Sequence, residues 1–531
     1  MPISAPITAK GKNQINKGAL PLVLVVLDGW GLNPTKEGNA IAEANTPVMD
    51  SLYEQYPNMK LNASSSYVGL PKGQPGNSEA GHMNIGAGRV VEQDAVLISR
   101  SISNGTFFKN PAFLQAAHHA IKNKSDVHLM GLLVDGSSPH SDNDHLLSLI
   151  SFFISSTKRD IYLHLFTDGR DSPKFAALKV LGQYKNIFNT PRIKVATIMG
   201  RFYSMDRKKS WQHTKMAYDC LVSGKGHAAS TPLDAVSQAY NRGESDEFMT
   251  PSVIVKNGKP IGSINGKDSV VFFNLRSDRA RQLAKAFTQD DFEKKNGGNF
   301  KRDKIVDDLL FVALTDFGPD LDNILTAYPG IDVPDTLPMA MRELSQEYIA
   351  ETEKYAHVTY FFNGGYAHTV VGEKRVNIPS KNIPSYDKMP EMSTFEVADA
   401  VLKAVRGGKS DFITVNFAAP DMIGHTGNIE AAVQAIEAVD KALGSIVKAV
   451  KSKQGTVVVL SDHGNADEML NLKTGEVVTQ HSKYLVPFIL VSDKKYNLVT
   501  KGKLGNVAPT ILEILNITKP KLMTCKSLIK K

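Results

Sequence analysis

The stretch TVVVLSDHGNAD, residues 456–467, decides the fold assignment. Its first five residues form an unbroken run of β-branched and apolar side chains, which is typical of a strand buried on both faces of a sheet. The run stops at Ser461, and an acid and a histidine, Asp462 and His463, follow at once. A strand that leads straight into such groups indicates a functional site at the end of that strand.

The same pattern, an apolar run followed by polar residues, recurs seven more times along the chain. The runs lie at 22–27, 127–134, 161–166, 194–199, 270–275, 358–362 and 412–417. The polar residues that follow them include Asp28, Asp135, Asp168, Arg201, Arg276, Asn363 and Asp421. One such ending could be accidental, but eight predict strands whose ends carry the chemistry of the protein.

Helical patterns separate these runs, and the clearest lies at 430–450. Apolar residues recur there at three- and four-residue spacings: Val433, Ile436, Val439, Leu443, Ile446 and Val450. Alternating strands and helices favour a parallel α/β architecture, in which ligands bind beyond the carboxyl ends of the strands. The sequence therefore predicts an α/β fold.

The chain has 531 residues, which is too long for one compact core, so we expect at least two domains. The strand ends within 127–279 are rich in arginine, whereas those elsewhere carry acids and histidines. A middle domain inserted into a split outer domain would produce this division. Boundaries near 92–98 and 318–330 then predict three parts: a flexible arm at 1–20, a discontinuous outer domain at 21–92 plus 330–531, and an inserted α/β domain at 98–318.

The net charge of +8 and the sequence pI of about 9.0 indicate an anionic partner. No long lysine and arginine run interleaved with aromatics occurs, so a small anionic substrate is favoured over a nucleic acid. Only two cysteines are present, which predicts a reducing compartment. No apolar run approaches the roughly 20 residues of a membrane span, and residues 1–20 resemble neither a secretory signal nor a good transit peptide. We therefore expect a cytoplasmic protein.

A glycine-rich stretch, PGNSEAGHMNIGAGR at 75–89, carries the candidate nucleophile Ser78. Glycines let the main chain approach a ligand closely, so backbone amides there could hold a small anion. Taken by itself, the stretch fits a surface loop better, because serine-glycine loops are common. Ser78 becomes a nucleophile only if other parts of the chain supply metal ligands and cationic groups.

Acids and histidines at several strand ends and in one loop suit a pair of metal ions. The candidates are Asp28, Asp421, His425, Asp462, His463 and His481. The four-residue spacing places Asp421 and His425 on one side of a helical turn, and the adjacent Asp462 and His463 could address two neighbouring ions. Mixed oxygen and imidazole ligands suit manganese, cobalt or zinc better than calcium or hydrated magnesium. Each residue alone would be structural, but together they predict a two-metal site.

Cationic residues dominate the strand ends between 127 and 279. The candidates for substrate binding are His140, Arg170, Asp171, Arg201, Arg207, Arg276 and Arg279. Arginine binds carboxylates and phosphates through two parallel hydrogen bonds, although single arginines commonly form surface salt bridges. The three-residue spacing of Arg276 and Arg279, just after a buried-looking strand, favours a pocket. Four histidines lack such a context and are interpreted as structural: His82, His118, His119 and His145.

Eight motifs resemble those of the cofactor-independent phosphoglycerate mutases. In chain order they are VVLDGWG, GNSEAGHMNIGAGR, FTDGRDSP, GRFYSMDR, LRSDRARQL, ETEKYAHVTYFFNGG, PDMIGHTG and SDHGNADEM. The outer domain is similar to the alkaline phosphatase superfamily, whose phosphatases and sulfatases share the metal ligands but lack the arginine-rich inserted domain. The resemblance implies interconversion of 3-phosphoglycerate and 2-phosphoglycerate in glycolysis and gluconeogenesis, without 2,3-bisphosphoglycerate.

The resemblance also implies a role for each matching residue. One metal ion would be held by Asp421, His425 and His481, and the other by Asp28, Ser78, Asp462 and His463. The inserted domain would hold the substrate through His140, Arg170, Asp171, Arg201, Arg207, Arg276 and Arg279. Ser78 would accept the phosphoryl group beside Lys354, and Asp171 is the candidate base and acid. Manganese is the expected ion, with cobalt, zinc or magnesium as alternatives, and we expect a monomer whose domains close over the substrate.

Three other functions compete with this interpretation. A metal-dependent phosphatase or another phosphomutase of the same superfamily would share the metal ligands, but it would need neither the arginines nor the ETEKYAH motif. A nucleic-acid-binding protein rests on the pI alone. A catalytically inactive scaffold is disfavoured because none of the proposed metal ligands is substituted.

Overall fold

Strands and helices alternate through the computed structural model of the chain, which describes residues 15–136, 138–188, 190–318, 320–330 and 332–530. The strands are β1 Leu22–Leu27, β2 Asn58–Asn62, β3 Val127–Leu132, β4 Ile161–Thr167, β5 Ile193–Gly200, β6 His227–Ala229, β7 Ser252–Lys256, β8 Lys259–Pro260, β9 Ser269–Phe272, β10 Leu310–Thr315, β11 Ile324–Tyr328, β12 Gln346–Glu351, β13 Lys374–Ile378, β14 Phe412–Phe417, β15 Thr456–Leu460, β16 Val486–Val491 and β17 Gly502–Lys503.

The helices vary from single turns to more than twenty residues. The α-helices are α1 Ala40–Glu43, α2 Pro47–Gln55, α3 Ser78–Ala87, α4 Asp94–Ser103, α5 Pro111–Asn123, α6 Asn143–Ser156, α7 Ala177–Gln183, α8 Lys185–Phe188, α9 Arg201–Ser204, α10 Trp211–Ser223, α11 Pro232–Asn241, α12 Ser277–Thr288, α13 Phe292–Lys295, α14 Leu337–Ala340, α15 Thr394–Gly407, α16 Ala419–Gly424, α17 Ile429–Lys451 and α18 Val507–Ile514. Short 3₁₀ turns lie at Lys17–Ala19, Ser65–Val68, Thr106–Lys109, Thr352–Lys354, Tyr386–Lys388 and Leu504–Asn506, and a π-helical turn lies at His357–Phe361.

The chain forms two compact units. The outer unit comprises residues 1–93 and 331–531, and the inserted unit comprises residues 94–330. The second unit therefore interrupts the first along the chain. Each unit has a mixed α/β fold with one principal sheet, which confirms the predicted fold class.

The sheet of the outer unit has eight strands in the order β13-β12-β14-β1-β15-β16-β2-β17. Four neighbours, β12, β14, β1 and β15, are parallel, so their carboxyl ends lie at one edge. The prediction of a parallel sheet is incomplete, because β16 runs antiparallel to both β15 and β2.

The principal sheet of the inserted unit has the order β11-β10-β9-β3-β4-β5-β7-β6, and β8 pairs with β7. The neighbours β9, β3, β4 and β5 are parallel, whereas β7 is antiparallel to β5. This sheet also has a row of parallel strands whose carboxyl ends meet at one edge.

Strand β1 explains why the predicted strands are continuously apolar. Its side chains alternate between the two faces of the sheet, as the pleat of a strand requires. Val23, Val25 and Leu27 pack in one apolar cluster with helix α17, whereas Leu22, Leu24 and Val26 pack in the cluster on the opposite face. Both faces are covered, so every position is apolar. Helix α17 confirms the helix predicted over 430–450, and Asn428 caps it by accepting a hydrogen bond from the Ala431 N–H.

The prediction of a strand over 358–362 is wrong. Residues 357–361 form the π-helical turn, and the strand in this region is β12, at Gln346–Glu351. A short apolar run cannot by itself distinguish a buried strand from a buried helical turn. Val358 and Phe362 are buried in an apolar cluster, which explains their apolar character without a sheet.

The ends of the predicted domains also require correction. The segment 318–330, interpreted as a boundary loop, contains strand β11, which pairs in parallel with β10. The arm predicted at 1–20 does not extend to residue 20, because the Asn16 N–H donates to the Leu515 carbonyl and Ala19 is buried. Residues 1–14 lie outside the described residues. Among the described residues, no helix combines the length and apolar character that crossing a membrane requires.

Candidate active site

Four parallel strands of the outer unit each lead into a candidate site residue. β12 precedes Lys354, β14 precedes Asp421, β1 precedes Asp28 and β15 precedes Asp462. All four side chains are almost completely buried. Because the carboxyl ends of these strands share one edge, the four groups gather although they are far apart in the sequence.

Ser78 is the first residue of helix α3 rather than part of a loop. Asn77 caps the helix, because its side-chain oxygen accepts a hydrogen bond from the Ala80 N–H at 2.8 Å. The positive end of the helix dipole therefore lies at Ser78 and favours a bound anion. Gly81 lets the helix approach the site, since a Cβ there would lie only 2.8 Å from Asp462 Cβ.

The ammonium of Lys354 lies at the centre of the buried groups. Its Nζ donates to Asp28 Oδ1 and to Asp421 Oδ2, each at 2.6 Å. It also donates to Ser78 Oγ at 2.7 Å. Burial lowers the pKa of Lys354, but the two carboxylates outweigh burial and hold that pKa above its ordinary value. A permanent positive charge therefore lies against the hydroxyl of Ser78.

The carboxylates around Lys354 remain ionised despite their burial. Burial raises the pKa of Asp28, but the nearby ammonium outweighs it and holds this pKa far below its ordinary value. The pKa of Asp421 is lowered in the same way, with burial opposed by Lys354 and then by His425 and His481. Ionised carboxylates are the form that binds metal ions.

Asp421, His425 and His481 form the first ligand group. The Nε2 atoms of the two histidines lie 3.0 Å apart. They lie 3.4 and 3.2 Å, respectively, from Asp421 Oδ1. Each Nδ1 donates to a backbone carbonyl at 2.8 Å, His425 to Thr479 and His481 to Gly76. These hydrogen bonds leave both Nε2 lone pairs directed at the same point, as in metal-binding histidines.

Asp28, Ser78, Asp462 and His463 form the second group. His463 Nε2 lies 2.9 Å from Ser78 Oγ and 3.4 Å from Asp28 Oδ1. It also lies 3.7 Å from Asp462 Oδ2. Burial lowers the pKa of His463, but the charges of Asp462 and Asp28 outweigh burial and raise it to about 9. A nucleophile candidate thus lies among two acids, an imidazole and an ammonium.

The inserted unit gathers a different set of residues at the carboxyl ends of β9, β3, β4 and β5. His140 follows β3, Asp171 follows β4, Arg201 follows β5 and Arg279 lies on helix α12 after β9. Arg201 is 2% exposed and donates through Nη1 to Asp171 Oδ2 at 2.6 Å. Asp168 accepts from the same Nη1. The buried guanidinium thereby holds the Asp171 carboxylate in place.

Positive charge is in excess within this set. Burial lowers the pKa of Arg279 to about 10, together with the repulsion of Arg201, Arg207 and Arg170. Burial and the same kind of repulsion, led by Arg201, hold the pKa of His140 far below its ordinary value, so its imidazole is neutral. Guanidinium groups that repel one another in a partly buried site favour an anionic ligand.

Two arginines of the set are more exposed. Arg207 pairs with Asp278, and Arg170 Nη1 lies 3.5 Å from Glu247 Oε1. Their side chains are 50% and 54% exposed, respectively. Arg276 precedes helix α12 and is partly buried. Exchange of such surface pairs for a substrate anion costs little, because exposed ion pairs contribute only about 0–1 kcal/mol.

Comparison with known proteins assigns the family. The chain is 44% identical to the 2,3-bisphosphoglycerate-independent phosphoglycerate mutase of Acetivibrio thermocellus, over 96% of this chain and 99% of that protein. It is 45% identical to a protein of Methanosarcina barkeri, the 2,3-bisphosphoglycerate-independent phosphoglycerate mutase 2, over the same shares. The Metalloenzyme superfamily matches residues 20–519. The chain belongs to the phosphoglycerate mutases of the Metalloenzyme superfamily.

A solved structure of this family agrees with the fold. A phosphoglycerate mutase of Leishmania mexicana, described at low cobalt concentration, is 27% identical to this chain. The two structures superpose with a TM-score of 0.79, over 96% of this chain and 98% of the other. The predicted resemblance to the cofactor-independent mutases is therefore confirmed.

The two ligand groups fit divalent metal ions, as a metalloenzyme of this family requires. Possible ligand atoms lie within 4.8 Å of one another in three sets of described residues: Asp421, His425 and His481; Asp28, Asp421 and His463; and Asp28, His82 and Asp462. Three buried carboxylates face one buried ammonium and the protonated imidazole of His463, so one negative charge is left over. Asp462 Oδ2 accepts no hydrogen bond from the described residues. Unbalanced buried charge of this kind is costly unless a cation offsets it. The outer unit therefore binds divalent metal.

The structure thus brings the predicted site residues together within each unit. The seven predicted metal ligands and Lys354 meet in the outer unit, and the seven predicted substrate-binding residues lie around the strand ends of the inserted unit. The division of the ligands between two ions, and the role of each residue, remain predictions.

Several polar residues of these sites are missing from the sequence prediction. Asn416 Nδ2 donates to Asp28 Oδ2 at 2.7 Å, and Asn465 Nδ2 donates to Asp421 Oδ1 at 2.7 Å. Asp168 accepts from Arg201. His82, which the sequence analysis interprets as structural, lies against Ser78 and Asp462. The one sequence signal for Asn416 is its position, because a polar amide is unexpected within the apolar run 412–417.

Proposed function

We propose that this protein interconverts 3-phosphoglycerate and 2-phosphoglycerate by way of a phosphoserine on Ser78, without 2,3-bisphosphoglycerate. The observation that carries the proposal is the surroundings of Ser78 Oγ. It lies within 3.2 Å of an ammonium, a carboxylate and an imidazole at the start of a helix. Full-length similarity to mutases that carry this name supports the choice of substrate.

Two divalent ions belong to the proposal, and manganese is the ion that we expect. Asp421, His425 and His481 would hold one ion, and Asp28, Ser78, Asp462 and His463 the other. When bound, the ions lower the pKa of the Ser78 hydroxyl and offset negative charge on the phosphoryl oxygens. Mixed carboxylate and imidazole ligands also suit cobalt and zinc, and magnesium less well.

Ser78 Oγ reacts as the alkoxide, after its proton has passed to solvent. The first transfer forms a bond between this oxygen and phosphorus while the bond from phosphorus to the glycerate oxygen breaks, and the return transfer releases the same alkoxide. Lys354 contributes a fixed charge beside the phosphoryl group, where electrostatic stabilisation of the transition state is worth most. The helix dipole at Ser78 acts in the same direction. Several such stabilising interactions are needed, because phosphate monoesters are among the compounds that hydrolyse most slowly without a catalyst.

Asp171 moves the proton on the glycerate side. In its protonated form it donates that proton to the glycerate oxygen that leaves phosphorus. The resulting carboxylate takes the proton of the other hydroxyl before the return transfer, which restores the protonated form. Arg201 holds this carboxylate at 2.6 Å, so its position is fixed. The neutral imidazole of His140 lies 3.8 Å from the same carboxylate and would contact the substrate hydroxyls.

The remaining arginines retain the glycerate between the two transfers. The glycerate carboxylate, bound by Arg276, Arg279 and Arg207, stays with the enzyme while glycerate turns. The turn brings its other hydroxyl to face phosphorus. A phosphatase releases the alcohol and admits water, so retention of glycerate is the property that makes this enzyme a mutase. A single chain in the cytoplasm, with no nucleic acid or membrane partner, is sufficient for this reaction.

A metal-dependent phosphatase is the second candidate, because it would use the same outer-unit groups. Incubation with 3-phosphoglycerate and no 2,3-bisphosphoglycerate distinguishes the two. We expect 2-phosphoglycerate to accumulate to its equilibrium share with little free phosphate. Free phosphate as the main product would instead establish the phosphatase.

A further inference from the structure

His82 lies one helical turn after Ser78 and has no exposed surface. Its Nδ1 donates to the Ser78 carbonyl oxygen at 2.9 Å and lies 3.1 Å from Asp462 Oδ2. Its other nitrogen, Nε2, lies 3.1 Å from Asn416 Nδ2. The buried imidazole thus contacts parts of the chain that come together only in the folded site.

Asn416 extends this chain of contacts to Asp28. Its Nδ2 donates to Asp28 Oδ2 at 2.7 Å. An amide nitrogen has two hydrogens, so the second is available for His82 Nε2. The opposite amide orientation would place Oδ1 against a carboxylate, which is repulsive. His82 Nε2 is therefore an acceptor and Nδ1 carries the proton, which agrees with the hydrogen bond to the Ser78 carbonyl.

We propose that His82 and Asn416 are positioning residues for the metal ion on the Ser78 side. The inference rests on the proposed ligand set of that ion. Between them, the two side chains contact the main chain of Ser78 and the carboxylates of Asp28 and Asp462. Residues that hold ligands in this way orient the remaining lone pairs toward the metal, and their loss typically costs 10- to 100-fold in metal affinity.

Direct ligation by His82 is the competing interpretation. A nitrogen of His82 lies within 4.8 Å of ligand atoms of Asp28 and Asp462. However, each ring nitrogen already has a partner, since Nδ1 donates to a carbonyl and Nε2 accepts from an amide. A ligand needs a lone pair directed at the ion, and neither nitrogen has one to spare.

A purely structural role is also less suited to these contacts. An apolar side chain of similar size would pack in the same space without two buried hydrogen bonds to satisfy. Asn416 interrupts an apolar strand, and its Oδ1 accepts no hydrogen bond from the described residues. The amide is therefore poorly explained by packing and well explained by its contact with Asp28.

The test measures the Mn²⁺ affinity of the Ser78-side ion alone, in the full-length chain. Asp421→Asn removes a ligand of the other ion, so calorimetric titration of this variant reports the remaining ion. In that background, His82→Phe removes both contacts, His82→Asn keeps a donor near the Nδ1 position and His82→Gln keeps an acceptor near the Nε2 position. Asn465→Ala is the matched control, because Asn465 Nδ2 contacts the side chain at position 421 and not a ligand of the Ser78-side ion.

We expect His82→Phe and Asn416→Leu each to weaken the Mn²⁺ affinity by 10- to 100-fold. His82→Asn and His82→Gln should each recover part of this loss, and Asn465→Ala should leave the affinity unchanged. The double variant should lose less than the product of the single losses, because both residues act through one chain of contacts.

Parent-like affinity of His82→Phe, or equal losses in His82→Phe and Asn465→Ala, would overturn the inference. If His82→Phe does not fold, parent-like affinity of both His82→Asn and His82→Gln has the same meaning. Nitrogen hyperfine coupling to Mn²⁺ that disappears in His82→Gln would show ligation and also overturn it. A parent chain that binds no Mn²⁺ would contradict the proposed function itself, and the inference with it.

Discussion

The side chain of Lys354 sets the charge balance around Ser78. It is 3% exposed and donates to two buried carboxylates and one hydroxyl. Removal of one partner from a buried ion pair leaves the other charge uncompensated and costs about 3–5 kcal/mol. Metal ions at the same carboxylates would supply the compensation that the lysine otherwise provides.

We therefore predict that Lys354→Met lowers the thermal unfolding temperature strongly in EDTA and much less in Mn²⁺. Lys294→Met is the control, because Lys294 is 85% exposed and pairs with Asp291, which is 58% exposed. Its effect should stay within about 1 kcal/mol. Equal destabilisation by Lys354→Met with and without Mn²⁺ would show that the ions do not share these carboxylates.

His463 makes metal binding depend on pH. Its pKa of about 9 means that the imidazole is protonated at neutral pH in the metal-free protein, and this proton must leave before a metal ion binds. Below pH 9, the affinity of the Ser78-side ion should rise about tenfold per pH unit. In contrast, burial and then His463 lower the pKa of His481, so the other ion displaces no proton from that ring.

Calorimetry at pH 7.5 in buffers with different ionisation enthalpies measures this proton directly. We expect about one proton to be released when the Ser78-side ion binds, and none from His463→Asn. The raised pKa also stabilises the metal-free fold below pH 6.5, and this contribution is lost as the pH rises through 9. An affinity that is constant between pH 7 and pH 8.5 would contradict the assignment of His463.

The candidate metal ligands are easier to identify from the sequence than the residues that contact them. Asp28, Asp421 and Asp462 follow strands directly, so the strand pattern indicates that they share an edge. His82 and Asn416 act through contacts between segments that only the fold brings together, and no local spacing marks them. The sequence therefore predicts which charged groups share the sheet edge better than it predicts which side chains contact them.

At the scale of elements, helix α3 fixes the position of Ser78 by packing tightly against its neighbours. Gly86 is decisive, because a Cβ at this position would lie 2.0 Å from the Phe362 carbonyl oxygen. Neither backbone can move far, since Phe362 is fully buried and follows the π-helical turn. A larger residue at 86 would push the helix, and Ser78 with it, away from Lys354.

Gly86→Ala should destabilise the outer unit by about 1–3 kcal/mol or more, as overpacking of a core does. It should also slow catalysis. Gly407→Ala, at the exposed end of helix α15, is the matched control, because no described residue beyond its chain neighbours and its own helix backbone lies within 4 Å of its Cβ position. That change should be neutral or stabilising by about 0.5–1 kcal/mol. Comparison of thermal unfolding tests this, and equal unfolding temperatures for both variants would refute the packing account.

Strands that are buried on both faces could be predicted from the sequence. Elements whose conformation depends on tertiary contacts could not. The continuous runs at 22–27, 412–417 and 456–460 coincide with strands β1, β14 and β15. The run at 358–362 is similarly apolar but forms a helical turn. Its buried side chains pack in the apolar cluster on one face of the sheet, and its backbone is not a strand of that sheet. The apolar composition indicates burial in both cases, but only tertiary contacts determine whether the backbone forms a strand or a helical turn.

At the scale of the whole molecule, the two units carry complementary chemistry. The outer unit holds buried acids, histidines and Lys354, and the inserted unit holds an excess of guanidinium groups. The overall charge of +8 therefore includes a concentration of arginine at the strand ends of the inserted unit. This division predicts that phosphoryl transfer and retention of glycerate can be separated by mutation.

Loss of Arg276 and Arg279 together should reduce 2-phosphoglycerate formation more than phosphate release. The physical reason is that glycerate escapes before the return transfer, so water accepts the phosphoryl group instead. Arg281→Ala is the control, because Arg281 lies on the same helix but pairs with Asp320. Measurement of both products over time tests this. Isomerisation by the double variant at the parent rate would show that these arginines do not retain glycerate.

The most direct test of the account is the rate of 2-phosphoglycerate formation from 3-phosphoglycerate, without 2,3-bisphosphoglycerate, before and after metal removal. We predict activity in the parent, its loss in EDTA, its return with Mn²⁺, and none in Ser78→Ala under any of these conditions. Activity that survives metal removal, or that persists in Ser78→Ala, would contradict a metal-dependent transfer through Ser78.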